Sequence, residues 1–126
     1  MTVHYEIEEK TNIIRTYVKG ILTSADILEH VERLLADEAL KDNFIEIVDL
    51  SEVVDVSITF SDLSKLKPIF SEWVKRGHSI SIFYVPTPLG NEFKVFMSPI
   101  FQASGLNIQF CKTKENIEKT LKIIEG

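Results

Sequence analysis

The hydrophobic pattern of the chain changes period from two to 3.6 four times along its length. Residues 3–9 alternate Val3, Tyr5 and Ile7 against His4, Glu6 and Glu8, the mark of a half-buried strand. A polar turn, Glu9-Lys10-Thr11-Asn12, leads into a second strand over residues 13–19. Ile14, Thr16 and Val18 share one face of it, and Gly20 ends it. The two predict an antiparallel hairpin. Thr23-Ser24-Ala25-Asp26 then starts a helix, with Thr23 as cap and Asp26 three residues on. Ile27, Leu28, Val31, Leu34 and Leu35 keep helical spacing, and the helix is expected to run to about Leu40.

The next strand, residues 44–50, is almost continuously apolar, as when both faces of a strand are covered. It ends in Val48-Asp49-Leu50-Ser51. A loop carrying Asp55, Ser57 and Thr59 is expected to follow, then a helix led by Ser61 and Asp62. That helix has the stripe Leu63, Leu66, Ile69, Phe70, Trp73 and Val74; Pro68 either kinks it or marks a short tight turn ahead of it. Lys75-Arg76-Gly77 is a helix end, where cations and a left-handed glycine are favoured. Residues 79–85 are a strand, and Pro86-Thr87-Pro88 is a rigid turn. A helix over residues 89–103 carries Pro99, which is expected to bend or split it. A last strand (106–111) and a helix capped by Thr113 close the chain.

The order ββαβαβαβα predicts one α/β domain over residues 1–126, a mixed, mostly parallel sheet of about five strands joined by right-handed crossovers. At 126 residues the chain is long enough to bury a core without staples. Composition is globular, 44% hydrophobic and 26% charged, so no stretch reads as disordered. A net charge of −5 argues against a nucleic-acid surface. Cys111 is alone, which rules out an internal disulfide and suits a reducing cytoplasm. No apolar run approaches the roughly 18 residues of a membrane span, and Met1-Thr2-Val3-His4-Tyr5 lacks the features of a signal peptide.

Motifs that name a reaction are missing. His4, His30 and His78 are scattered, with no zinc-type spacing. There is no Gly-x-Ser-x-Gly turn and no Gly-rich phosphate loop, so no catalytic residue, metal or cofactor is assigned. Asp49 and Asp55 offer two carboxylates where a hard cation wants six or more oxygens.

The order and spacing of several short motifs resemble the STAS domain family, best known for SpoIIAA-type anti-sigma-factor antagonists. The likeness is greater to its SpoIIAA-like, or STAS/SEC14-like, branch. Gly20-Ile21-Leu22-Thr23 looks like the family's entry to the first helix, and Val48-Asp49-Leu50-Ser51 like its central strand end. Phe110, Thr113, Glu115 and Ile117 look like its closing strand-to-helix step. Residues 89–96 resemble the third-helix entry of the SpoIIAA-like branch. The family's Asp-Ser-Ser-Gly-Leu switch is replaced by Val54-Asp55-Val56-Ser57-Ile58-Thr59-Phe60-Ser61-Asp62, so the phosphorylation switch does not carry over directly.

The resemblance implies a non-enzymatic regulatory module that meets a protein partner with a basic groove, such as an anti-sigma kinase-like protein. The surface expected to do so runs from Asp49 to Asp62, through Ser51, Asp55, Ser57, Thr59 and Ser61, with Val56, Ile58 and Phe60 as apolar anchors. Ser57 is the nearest match to the switch; capping of the helix is the plainer role for Ser57, Thr59 and Ser61. The alternative is a carrier of a small apolar, lipid-like molecule, using a cavity lined by Phe60, Phe83, Phe93, Phe96, Met97 and Phe101. A homodimer through a strand edge or the Pro99 helix is a further expectation.

Overall fold

Five strands and four helices follow the expected order. The computed structural model describes residues 3–125, excepting the side chains of Phe60 and Glu125. The elements are β1 (Val3–Glu8), β2 (Ile13–Thr23), α1 (Ser24–Leu35), β3 (Phe44–Ser57), α2 (Phe60–Arg76), β4 (His78–Tyr84), α3 (Leu89–Ala103), β5 (Ile108–Cys111) and α4 (Lys114–Glu125). The strands lie side by side in chain order. β1 is antiparallel to β2, and every later pair is parallel.

That strand order decides where the helices go. Each parallel step advances one strand in the same direction, so right-handed crossovers put α1, α2 and α3 on one face. Val31 and Leu34 of α1, Leu66, Phe70 and Trp73 of α2, and Phe93, Met97 and Phe101 of α3 share one core there. They meet Ile14, Val18, Phe44, Val48 and Leu50 of the sheet. α4, the last helix among the described residues, folds onto the opposite face. Its Ile117 and Leu121 pack with Ile13, Ile45, Ile47, Ile80, Ile82 and Cys111 in a second, smaller core. Each fully buried side chain of this size is worth about 1.5–3 kcal/mol.

The strands after the hairpin turn are longer than their pattern suggests. β2 does not stop at Gly20 but runs to Thr23, and β3 does not stop at Leu50 but runs to Ser57. The register moves from Tyr17↔Asp49 to Lys19↔Glu52, and again from Gly20↔Val53 to Ile21↔Asp55. Each slip places one extra residue in β3, a bulge that interrupts the alternation on which strand recognition rests. Gly20 takes a positive φ of 83° at the second slip, a conformation other residues resist. Ser51, Asp55 and Ser57 therefore stand on a strand, and the free loop shrinks to Ile58 and Thr59.

Other boundaries shift for local reasons. α1 ends at Leu35 rather than about Leu40, because Asp37 turns its carboxylate to the Ala39 N–H, 3.0 Å away. α2 starts at Phe60, capped by Thr59. Pro68 and Pro99 both sit inside unbroken helices, at exposed positions where the carbonyl each leaves without a donor is accessible to solvent. Gly90 lets α3 approach the sheet: a Cβ there would lie 2.4 Å from the Cβ of Val85.

Candidate functional site

The residues singled out between Asp49 and Asp62 divide into three groups. Asp49 is half-buried, and its carboxylate accepts the Ser51 N–H at 2.8 Å. Asp55 and Ser57 are exposed on the upper end of β3, where Ser57 pairs with Thr23 of β2. Thr59 and Asp62 form a capping box: the Thr59 hydroxyl accepts the Asp62 N–H at 3.3 Å, and Asp62 accepts the Thr59 N–H at 3.2 Å. The Thr59 and Ser61 hydroxyls are 3.0 Å apart. Thr23 and Asp26 make the same box on α1. The two helix starts lie close together, for Ser24 also bonds Asp62. The Thr59 N–H, then the hydroxyls of Ser24 and Thr59, hold the Asp62 carboxyl below its ordinary range. Thr59 and Asp62 thus do capping work, whereas Ser57 is the last residue of β3 and lies outside the cap.

The second face of the sheet is only partly covered. α4 spans β4, β5 and the lower ends of β2 and β3, where Ile13 and Ile45 are buried. The upper part of β2 and β3 stays open. Tyr17 is 45% exposed, Ile21 52% and Val54 74%, three large apolar side chains turned away from the first core. Val54 is the extra residue of the second bulge, which explains its outward direction. Between this open region and the start of α4 runs a groove of about 220 Å3, lined by Arg15, Tyr17, Asp49, Tyr84, Lys114 and Glu118 among others. Arg15 is tied to Glu8 at 2.6 Å. The open face therefore presents apolar residues inside a charged frame to which Asp49, Arg15 and Glu118 belong.

The first face holds a polar cluster that the pattern did not reveal. Glu46 sits in the middle of β3 and is 5% exposed. Its carboxylate accepts the Thr16 hydroxyl at 2.7 Å and lies 2.6 Å from Nε2 of His30 on α1. With His30 protonated this contact is a buried ion pair. Burial, the largest influence, disfavours the Glu46 carboxylate. The charge and hydrogen bond of His30, the Thr16 hydroxyl and the nearby His78 outweigh it and hold its pKa below the ordinary value. Tyr5 packs edge-on against His30, and its hydroxyl donates to Asp37 at 2.9 Å. Burial first, and then the Asp37 bond, raise the Tyr5 pKa.

Thr16, His30, Glu46 and Ser81 help line a cavity of about 70 Å3 between the sheet and its three helices, with their polar atoms bonded within the protein and its wall almost wholly apolar. Of the expected apolar residues, Phe83, Phe93, Met97 and Phe101 line the rest. Phe83 stacks on Phe101 at 5.7 Å and on Phe110 at 5.5 Å. Phe96 packs at the margin of the core rather than on the cavity, and the Phe60 side chain lies outside the described residues.

Ser81 and His78 are the pair closest in type to a nucleophile and its base, with Oγ and Nε2 2.7 Å apart. Burial holds His78 down at about 4, with Glu46 opposing. A base that weak has little drive to take a proton near neutral pH. Ser81 is also 4% exposed, so the contact reads as a satisfied bond within the core. Among the described residues no group of three or more His, Cys, Asp or Glu is placed to hold a metal. Cys111 is 2% exposed at the end of β5 and behaves as a small core residue.

Glu46, His30 and Thr16 were each visible in the chain but not as a unit. The usable signal was Glu46 itself: a carboxylate between Ile45 and Ile47, in a strand covered on both faces, requires a buried partner. No protein-family model matches this chain, and no curated protein matches it.

Proposed function

We propose that this chain is a non-enzymatic, STAS-like regulatory module that works in the cytoplasm by binding protein through the open part of the second sheet face. The observation that carries this reading is the uneven cover of the sheet, with Tyr17, Ile21 and Val54 exposed together where no described helix lies. Exposed apolar residues inside a polar rim are the usual anatomy of a binding patch. Asp49, Asp55 and Ser57 belong to the rim of this surface, so the region marked out by the sequence motif remains part of the reading. Thr59, Ser61 and Asp62 serve it indirectly, by fixing the start of α2, and Ser51 by holding the Asp49 carboxylate through its N–H.

A photo-crosslinking residue placed at Val54 in the living cell tests this, with Val95 of α3 as control, since Val95 is 76% exposed on another part of the surface. A discrete protein adduct from position 54 and none from 95 is the expected result. Equal or absent adducts at the two positions would remove the basis of the reading.

The cavity supports a second reading, a binding site for a small apolar molecule. Its 70 Å3 is about half the roughly 150 Å3 that accommodates a benzene. The ligand is therefore a compact one, unless Met97 and the phenyl rings move aside. Native mass spectrometry separates the readings: added mass removed by organic extraction favours the ligand, and a bare polypeptide favours the module.

A further inference from the structure

We propose that the groove between β5 and α3 receives an extended peptide carrying an acidic residue, which adds to the sheet as a further strand. This site is separate from Tyr17, Ile21 and Val54, which lie on the other face of the sheet. β5 is the last strand in the sheet order, and among the described residues no strand pairs with its outer edge. Two hydrogen bonds fix its inner edge: the Ser81 N–H donates to the Asn107 carbonyl and the Val85 N–H to the Cys111 carbonyl, each at 2.9 Å. Successive residues of a strand turn their N–H and C=O groups to opposite edges. With Asn107 and Cys111 turned inward, Ile108 and Phe110 turn theirs outward. No described residue pairs with these groups. They are the template that an open strand edge offers to another chain.

A groove of about 300 Å3 lies against this edge. Lys94, Ser98 and Gln102, four residues apart on α3, form one wall, and Leu106, Ile108 and Phe110 give an apolar floor. The helical rise makes that wall about 12 Å long, the length of roughly three to four extended residues. Side chains of an added strand alternate between the two faces, so every second one falls toward the groove. Backbone pairing then supplies affinity, and the groove supplies selectivity. Charge decides what the groove selects. Lys94 is the one charged side chain lining it among the described residues, and no Asp or Glu does so. The Lys94 ammonium lies 5.5 Å from the centre of the Phe110 ring, at the carboxyl end of β5, where the exposed Lys112 follows. An apolar side chain over Ile108, with a carboxylate two residues along at Lys94, meets both halves of the groove. β5 of a second copy, Ile108-Gln109-Phe110-Cys111, would bring no carboxylate, so a segment of another protein fits better than self-pairing.

Selection of a displayed library of random short peptides on the full chain provides the test. The expected result is enrichment of proline-free sequences in which an apolar residue and an acidic one stand two apart. A synthetic copy of the enriched peptide is expected to slow amide hydrogen exchange at Ile108 and Phe110. It is expected to bind Lys94→Glu about fivefold more weakly; Lys94 is exposed, so that variant is expected to fold. N-methylation of alternate peptide nitrogens should abolish binding for one set and spare it for the other, because only one set faces β5. No enrichment, unchanged exchange at Ile108 and Phe110, indifference to Lys94→Glu, or equal effects of the two methylated sets would overturn the proposal. Slow exchange at these two amides before peptide is added would also overturn it, since the edge would then be held by a second copy. None of these readouts involves Val54, so this outcome stands apart from that of the open face.

Discussion

On the first face of the sheet, three helices close over an ionisable cluster so thoroughly that Glu46 is 5% exposed; on the second, a single helix leaves Val54 74% exposed. The same five strands thus carry a finished interior and an unfinished one. Strand order produces this difference among the described residues, because all three crossover helices fall on one side and α4 alone packs on the other. Polar atoms on the closed face were matched inside the molecule, Glu46 with Thr16 and His30, and Ser81 with His78. The open face is left with apolar atoms that water covers badly. A closed face answers to stability, whereas an open one invites a partner.

The largest expected effect comes from breaking the closed face at its charges. His30→Ala leaves the Glu46 carboxylate buried beside an empty place and is expected to cost about 3–5 kcal/mol in denaturant unfolding. Replacing Glu46 and His30 together by apolar residues of similar volume is expected to recover most of that loss. A double variant as unstable as the single one would mean that the pair is worth more than its packing volume.

Next in size is the attachment of α4. Leu121→Ala removes a 7%-exposed side chain from the smaller core and is expected to cost about 2–5 kcal/mol. A change well below 1 kcal/mol would mean that α4 is held loosely and that the contrast between the faces is greater still.

Acidification sharpens the comparison again, since His78 and Glu46 both belong to the closed face. His78 has a folded pKa of about 4 against 6.5 unfolded. Between those values the unfolded chain binds the extra proton, so stability is full above about pH 6.5 and falls toward pH 4. The loss is on the order of 3 kcal/mol. Glu46, lowered from 4.5, adds to the loss only below that value: its contribution is fully present above it and is lost as pH falls through its folded value. Thermal melts from pH 7 to pH 4.5 are expected to show this decline, reduced in His78→Gln. A parallel decline in the variant would assign the effect to other groups.

The smallest effect belongs to the open face. In dilute solution Val54→Glu is expected to change stability by no more than about 0.5 kcal/mol, as exposed substitutions do. A large loss there would show that Val54 supports its own fold.

The sequence was most legible where the pattern was regular. Period-two and period-3.6 segments identified every element and their order, and the Thr23 and Thr59 caps lay where Ser, Thr and Asp clustered. It failed at irregularities. Two bulges extended β3 past Asp49, so Asp55 and Ser57 looked like loop residues when they are strand residues. The prolines of α2 and α3 looked like breaks, but exposure lets the unsatisfied carbonyls reach water. The aromatic run of α3 did mark residues around a cavity, since Phe93, Met97 and Phe101 repeat at four-residue spacing toward the sheet. What no local pattern held was the meeting of Thr16, His30 and Glu46, from three different elements, or the bareness of Tyr17 and Ile21. Both follow from which face each crossover covers, a property of the whole chain.

The measurement that bears most directly on the open face is hydroxyl-radical footprinting in the living cell, compared with the dilute purified protein. It reads side-chain exposure residue by residue and needs no knowledge of the partner. Labelling of Tyr17, Ile21 and Val54 should fall in the cell while that of Val95 stays the same. Unchanged labelling at the first three positions would contradict the claim that this face is where the protein works.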